Sequence, residues 1–216
     1  VTNICKNLCG FCGFGRRADD PEAFFDDPEA IREKARTAVE RNVTEICLLS
    51  GVHPDYTLDS YVDLISSVRE AAPDVDIHTA SPDEIAWAAE RSGVPTTTVI
   101  ERLREAGLGT LQGTAAEILV DRVRRVICPN KCDTATWVRI IKEAHELGIR
   151  STATIMYGSC ENEADRARHL AVLREIQDDT GGFTEFVPLS FIHEKTALYR
   201  AGLARPGATG REEILL

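Results

Sequence analysis

The feature that most constrains the fold is the alternation of short β-branched runs with longer segments of helical periodicity. Apolar residues recur at helical spacing in 28–42 and 58–71, and the intervening stretch 43–50 has the composition of a strand. The same pattern continues to the end of the chain. Strands separated by helices form βαβ units, so the sequence predicts a parallel sheet of about five strands. The remaining predicted elements are strands at 75–80, 108–113, 150–156 and 183–191, and helices at 82–93, 96–106, 115–126, 133–148 and 162–178.

Residues suited to catalysis or binding directly follow the predicted strands. Gly51 and His53 follow one strand, and Glu117 follows another. A parallel β/α barrel carries its active site at the C-terminal ends of its strands, and a doubly wound sheet uses the same edge. No G-x-G-x-x-G turn follows the first strand, which disfavours a dinucleotide-binding fold. We therefore predict an α/β fold of the TIM (β/α) barrel type, with residues 1–216 forming a single domain.

Both ends of the chain have the pattern of interrupted elements. Residues 1–4 have the composition of the end of a strand, and residues 212–216 that of the start of a helix. We therefore expect a partial barrel, truncated at both ends, within a longer chain. A sheet that lacks strands leaves an edge exposed.

Three cysteines lie close together in the segment Cys5-Lys-Asn-Leu-Cys9-Gly-Phe-Cys12. Cysteine thiolates are the usual ligands of iron–sulfur clusters. Three thiolates in one loop hold three irons of a 4Fe-4S cluster and leave the fourth iron open to the amino and carboxylate groups of S-adenosylmethionine (SAM). The alternatives are a zinc site completed by His53 or Cys47, and inert thiols. Structural zinc requires four ligands, usually as two pairs, and no second pair has suitable spacing.

Other cysteines and histidines give weaker signals. The pair Cys128 and Cys132 lacks a third partner, so Cys128 is interpreted as a buried residue at a helix end. Cys47 lies within an apolar strand and is expected in the core. His145 and His169 lie on predicted helices and are expected at the surface.

Composition excludes several classes of function. The net charge is −10, which disfavours a nucleic-acid partner because phosphate binding requires clustered Lys and Arg. No run of about 18 apolar residues exists, so we expect no membrane span. The chain has seven cysteines, an odd number, at uneven spacing, and we expect no secretory leader. This favours metal-bound or buried thiols in a reducing cytoplasm.

The sequence resembles one enzyme family over nearly its whole length. The matching stretches, between Thr2 and Tyr199, are TNICKNLCGFCGF, GVHPD, GTAAEIL, ICPNK, ATIMYG and TGGFTEFVPLSFIHEKTALY. They are similar to the tyrosine-using subunit of FO synthase, a radical SAM enzyme. The menaquinone-pathway enzymes aminofutalosine synthase and cyclic dehypoxanthine futalosine synthase share part of this pattern. They tend to have GGGAEI where this chain has GTAAEI.

The resemblance implies a radical SAM type of TIM barrel and a transferase reaction in coenzyme F-420 biosynthesis. SAM and a 4Fe-4S cluster would be the cofactors, with Cys5, Cys9 and Cys12 as the metal ligands. L-tyrosine would be cleaved between Cα and Cβ, and its 4-hydroxybenzyl fragment joined to 5-amino-6-(D-ribitylamino)uracil. An electron donor and a partner radical SAM subunit, which closes the deazaflavin ring, would be the protein partners.

Three further residues are predicted to bind SAM: Gly51, where the resemblance implies that the backbone meets SAM, and His53 and Glu117, which follow strands at the predicted catalytic edge. The alternative for His53 is a turn-capping role, and for Glu117 a favourable interaction with a helix N-terminus. The chain departs from the family pattern at Ser50, where a glycine usually precedes Gly51. Close approach of the backbone to SAM is less favourable with a side chain there.

Three further hypotheses are alternatives to the transferase. A menaquinone-pathway enzyme would act on an aminodeoxyfutalosine-type substrate and not on tyrosine. A non-enzymatic metal-binding module would hold zinc rather than iron and sulfide. A truncated, inactive fragment would have a loosely packed core.

Overall fold

The computed structural model describes all of residues 1–216, and its centre is a five-stranded parallel sheet. The strands follow one another in space as they do in sequence, in the order β1-β2-β3-β4-β5. They are β1 Glu45–Cys47, β2 Asp76–Thr79, β3 Thr110–Leu111, β4 Arg150–Tyr157 and β5 Phe183–Ser190. The helices are α1 Pro28–Glu40, α2 Leu58–Ala71, α3 Pro82–Ser92, α4 Thr96–Ala106, α5 Asp121–Ile127, α6 Thr134–Glu146, α7 Glu163–Thr180, α8 Ala197–Arg200 and α9 Gly210–Leu215.

The helices cover one face of the sheet and leave the other open. Ile46 is paired with Ile77, which is fully buried in the core formed with the helices. Cys47 is paired with His78, and His78 with Thr110, so these three side chains share the opposite face. Cys47 is exposed there, and the other two are partly exposed. The curled sheet is therefore a half-barrel, and the predicted partial TIM-type barrel is confirmed.

Local signals explain most helix boundaries. Asp133 caps α6 by accepting a hydrogen bond from the Thr136 amide at 2.8 Å. Ser81 and Glu84 form a reciprocal capping box at the start of α3. Gly93 ends α3 in a left-handed conformation, which glycine adopts without steric cost. These helices were predicted from the sequence within a few residues.

The predicted helix at 115–126 is wrong in its first half. The helix begins at Asp121, because Ala115 and Glu117 have positive φ angles of 62° and 46°. Such left-handed residues interrupt a right-handed helix. The buried Arg124 holds this irregular segment by donating to the carbonyl oxygens of Ala115 and Ala116.

The strands predicted in the first 50 residues are also shorter than expected or absent from the sheet. The stretch predicted as a strand at 43–50 contributes only the three residues of β1. Residues 1–4 do not join the sheet. Thr2 instead forms an isolated antiparallel bridge with Phe25, and Ile4 a parallel bridge with Arg16.

Three predictions of exposure were wrong. Cys47 is exposed because it lies on the open face of the sheet. His169 is fully buried, and its Nδ1 accepts the Leu119 amide at 3.0 Å. His145 is part-buried, and its ring nitrogens lie 2.7 Å from Thr180 Oγ1 and 2.9 Å from Ser151 Oγ. Both histidines face the sheet side of their helices, where polar partners replace water. The buried Cys128 at the end of α5 agrees with its prediction.

Candidate functional site

The cysteine loop lies across the C-terminal edge of the sheet. The Lys6 amide donates to the Val52 carbonyl, beyond β1, at 2.8 Å. The Gly10 amide donates to Ile127 at the end of α5 at 3.0 Å, and the Gly10 carbonyl accepts from Leu198 in α8 at 2.8 Å. Segments that follow β1, β3 and β5 therefore all hold this loop. This is the edge at which β/α barrels carry their chemistry.

The three cysteines of the loop have different surroundings. Cys9 is buried in an apolar cluster with Ile118, Ile127 and Leu198, and burial raises the pKa of its thiol well above the usual range. Cys5 and Cys12 are half-buried. Cys12 Sγ lies 3.4 Å from each of the Phe14 and Gly15 amide nitrogens, which donate to it.

Gly15 brings two of the cysteines together. A Cβ atom at this position would lie 3.7 Å from Cys5 Cβ and 4.0 Å from Cys12 Sγ. The two cysteines thus pack on the same glycine, although ten residues separate Cys5 from Gly15. The turn at Gly15 therefore folds the loop back so that Cys5 and Cys12 lie near each other.

The donor set fits an iron–sulfur cluster better than a single metal ion. The loop supplies three cysteine donors, whereas structural zinc requires four ligands at about 2.0–2.3 Å. All three donors of the loop are sulfur, the usual ligand of iron–sulfur clusters. The buried Cys9 thiol would resist ionisation alone, but a metal centre deprotonates a coordinating thiol. Backbone amides that donate to a sulfur, as at Cys12, are among the contacts that tune such clusters.

Gly51 packs directly on the cysteine loop. A Cβ atom there would lie 2.5 Å from the Ile4 carbonyl oxygen and 3.0 Å from Cys5 Cβ. The Gly51 amide also donates to the Thr2 carbonyl at 2.8 Å. A side chain at this position would displace the loop, so the structure gives glycine a packing role. Its predicted contact with SAM remains a prediction.

His53 has a defined structural role in the turn after β1. Its Nδ1 accepts the Asp55 amide at 3.2 Å, so Nε2 carries the proton of the neutral ring. The ring stacks on Tyr56 with centroids 4.9 Å apart. The His53 carbonyl accepts from Trp87 Nε1 at 3.0 Å. These contacts match the turn-capping alternative, and contact with SAM stays a prediction.

Glu117 forms a buried ion pair that the sequence did not reveal. Its Oε1 lies 2.6 Å from Lys131 Nζ, and both side chains are at most 14% exposed. Burial is the largest single influence and would lower the pKa of Lys131, but the negative groups around it, with Glu117 foremost, together outweigh burial and raise the pKa. Glu117 precedes α5 by several residues, so the alternative of a helix-terminal acid is wrong. Its carboxylate faces the segment that carries Lys131.

The segment containing Lys131 is tied to the cysteine loop by a second polar network. Asn130 Nδ2 donates to the Asn7 carbonyl at 3.0 Å. The buried Asp83 carboxylate accepts from the Asn7 side-chain amide and, at 2.8 Å, from the Cys132 backbone. Sequence reasoning missed Asn7, Asp83 and Lys131, although the ICPNK stretch was part of the resemblance.

Other polar residues near this edge are occupied by structural contacts. The fully buried Glu161 carboxylate accepts from the Gly158 amide at 2.6 Å and the Ser159 amide at 2.8 Å. His78 Nδ1 lies 2.7 Å from Thr110 Oγ1 on the open face of the sheet. His193 stacks edge-on against Tyr199, at the surface.

Comparison with known proteins places the chain in a family. The profile described as the Radical SAM superfamily matches residues 1–173. This chain therefore belongs to the radical SAM superfamily. No helix combines the length and apolar character needed to cross a membrane.

Several curated relatives share one description. The chain is 65% identical, over 216 residues, to the 5-amino-6-(D-ribitylamino)uracil--L-tyrosine 4-hydroxyphenyl transferase of Methanoculleus marisnigri, covering 100% of this chain and 59% of that protein. It is 46% identical to the FO synthase of Mycobacterium leprae, covering 98% of this chain and 24% of that protein. The chain thus spans 59% and 24% of the lengths of these two relatives, less than two thirds in each case.

Solved structures share the fold. Methylornithine synthase superposes with a TM-score of 0.72 at 17% identity, covering 91% of this chain and 53% of that one. A maturase of the FeFe-hydrogenase superposes with a TM-score of 0.65 at 18% identity, covering 88% of this chain and 41% of that one. At such identities the likeness establishes the fold alone.

Proposed function

We propose that this chain carries the catalytic core of a radical SAM transferase of deazaflavin biosynthesis. The enzyme cleaves L-tyrosine and joins its 4-hydroxybenzyl fragment to 5-amino-6-(D-ribitylamino)uracil. The observation that carries the proposal is the three-cysteine loop at the C-terminal edge of the half-barrel. The choice of substrates rests on the 65% identity to a transferase named for them.

Cys5, Cys9 and Cys12 are the proposed ligands of a 4Fe-4S cluster, with SAM as the second cofactor. When bound, this pair supplies a one-electron cleavage of the SAM sulfonium that starts radical chemistry on the substrate. The protein positions the ligands and excludes water. The apolar cluster around Cys9 keeps solvent from the inner side of the loop.

Three residues near the cysteine loop are proposed to contact SAM. Gly51 and His53 lie in the segment that packs on the loop, and Glu117 lies on its other flank. Glu117 offers a carboxylate, the natural acceptor for an ammonium or ribose hydroxyl group. Its ion pair with Lys131 fixes that carboxylate in place.

Two protein partners follow from the same proposal. An electron donor must reduce the cluster, and a second radical SAM subunit must close the deazaflavin ring. The FO synthase relative is about four times as long as the stretch it shares with this chain. This length leaves room for both activities on one polypeptide.

The decisive test is anaerobic reconstitution with iron and sulfide, followed by assay with SAM, dithionite, L-tyrosine and the ribityl-uracil. We expect a brown protein and formation of 5′-deoxyadenosine that requires tyrosine. Cys9→Ala should abolish it, whereas Cys47→Ala, which removes an exposed cysteine outside the loop, should not.

The other outcomes discriminate between the alternatives. A colourless, zinc-loaded protein would contradict the iron–sulfur assignment. Turnover of an aminodeoxyfutalosine-type substrate without activity on tyrosine would assign the chain to the menaquinone pathway instead.

A further inference from the structure

The buried ion pair between Lys131 and Glu117 lies on the flank of the cysteine loop. The ammonium is 2.6 Å from the carboxylate, and the two side chains are 14% and 10% exposed. Lys131 Nζ is also 5.5 Å from the centroid of the Phe11 ring. Phe11 lies between Cys9 and Cys12 in sequence, so the pair is held next to the proposed metal ligands.

The position of Lys131 is fixed by its neighbours. Asn130 binds the Asn7 carbonyl within the cysteine loop, and the Cys132 amide binds the Asp83 carboxylate. The Glu117 carbonyl accepts the Met156 amide of β4 at 2.8 Å, which anchors the other partner of the pair. The two charges therefore keep their places with respect to the loop.

Other charged groups surround the pair. The carboxylates of Asp83 and Glu84 lie at the start of α3, and the Arg124 guanidinium binds only carbonyl oxygens of 115, 116 and 132. Since the site is shielded from water, each charge acts more strongly on a nearby redox centre than it would in solution. A cation stabilises the additional negative charge of a reduced cluster, and an anion opposes it.

We propose that Lys131 is a positioning residue that raises the reduction potential of the cluster and holds Glu117 in place. This inference rests on the proposed function in one respect, namely that the three cysteines hold the cluster. Lys131 thereby makes the cluster easier to reduce by the electron donor. Glu117 partly offsets this effect through its opposite charge.

The test is a redox titration with dithionite and mediators, followed by electron paramagnetic resonance, on the reconstituted protein without SAM. Lys131→Met should lower the equilibrium constant for reduction by about tenfold, equal to about 59 mV for one electron. Glu117→Gln should raise it, because Lys131 is left unopposed. Lys131→Arg, which keeps the charge, should remain close to the parent protein.

The controls separate charge from folding. Lys142→Met removes another ion-paired lysine, bonded to Asp179 on the surface, and should leave the potential unchanged. Lys131→Met leaves a buried carboxylate without its partner and is the variant most prone to misfold. If it misfolds, the double variant with Glu117→Gln replaces it, and its potential must lie below that of Glu117→Gln alone.

The outcomes distinguish this proposal from the proposed function. Full iron content with an unchanged potential in Lys131→Met would overturn the role of Lys131 and leave the cluster intact. An unchanged potential with weaker SAM binding would overturn the effect on the potential and leave Lys131 only its part in placing Glu117. Failure of the parent protein to take up iron and sulfide would overturn both.

Discussion

Two adjacent strands of equal length, β4 and β5, differ sharply in burial. Seven of the eight residues of β4 are buried, whereas none of the eight residues of β5 is. The strands are paired in parallel from Ser151 to Tyr157, so their backbones have similar hydrogen bonding on the shared side. Strand β4 has a neighbour on both edges, but β5 has one only. Burial of a strand therefore depends on its neighbours rather than on its own apolar content.

The difference in burial between β4 and β5 is tested most strongly by truncating one aliphatic side chain in each strand. Ile155 in β4 is fully buried, and Leu189 in β5 is 43% exposed. Ile155→Ala should lower the free energy of unfolding by about 2–5 kcal/mol, because it opens a cavity in a packed core. Leu189→Ala should cost less than about 1 kcal/mol, since less apolar area leaves contact. Urea unfolding of both variants measures the difference, and equal losses would contradict it.

The close packing of β4 on its other neighbour gives a second test. A Cβ atom at Gly113 would lie 1.9 Å from the Thr152 carbonyl oxygen. Gly113→Ala should therefore cost about 1–3 kcal/mol through overpacking. Gly13→Ala is the control, because nothing lies within 4 Å of its Cβ position. Denaturant midpoints that shift equally for the two variants would show that the contact at β4 is not tight.

Buried histidines make the β4 side of the molecule sensitive to acid. Burial lowers the pKa of both His145 and His169 to about 4. A lowered folded-state pKa means that the stabilisation is complete above the unfolded value of about 6.5 and is lost as pH falls towards 4. We expect unfolding free energy to decline over this window, by about 1–3 kcal/mol for the fully buried His169.

The variant His169→Gln isolates this effect from the titration of carboxylates. Glutamine offers an amide oxygen that can accept the Leu119 amide in place of Nδ1. The decline between pH 6.5 and 4 should be shallower in the variant than in the parent. Parallel curves from urea unfolding at several pH values would refute the assignment.

The smallest effect on stability is expected at the exposed face of β5. Phe186 is 41% exposed, and exposed apolar edge strands promote association. Phe186→Lys should change the free energy of unfolding by no more than about 1 kcal/mol. It should nevertheless reduce light scattering at high protein concentration. Unchanged scattering would show that this face does not drive association.

The order of strands and helices was predictable because it depends on local periodicity and capping. Asp133 and Gly148 delimit one helix in the sequence as they do in the structure. The segment before α5 was not predictable, since Ala115 and Glu117 adopt left-handed backbone without a glycine to indicate it. A Pro in β5, Pro188, was an available sign of an edge strand, because it has no amide to donate.

The candidate site was predictable only in part. Three cysteines in eight residues indicate a metal site by local spacing alone. Lys131 gains its role from Glu117, which is 14 residues away, and from Phe11, which is further still. The packing role of Gly51 likewise arises from the distant Ile4. Contacts of this kind depend on the tertiary fold and leave no periodic signal.

The left-handed residues at 115 and 117 have a consequence for protein engineering. A non-glycine residue in this conformation costs about 1–2 kcal/mol. At Ala115 that cost is removable, because glycine adopts the conformation freely, but the replacement gives up a buried methyl group of the core. At Glu117 the same replacement would remove the carboxylate that binds Lys131. Of the two residues, only Ala115 can be replaced by glycine without loss of a charged group. At Glu117 the backbone strain is retained together with the carboxylate that binds Lys131.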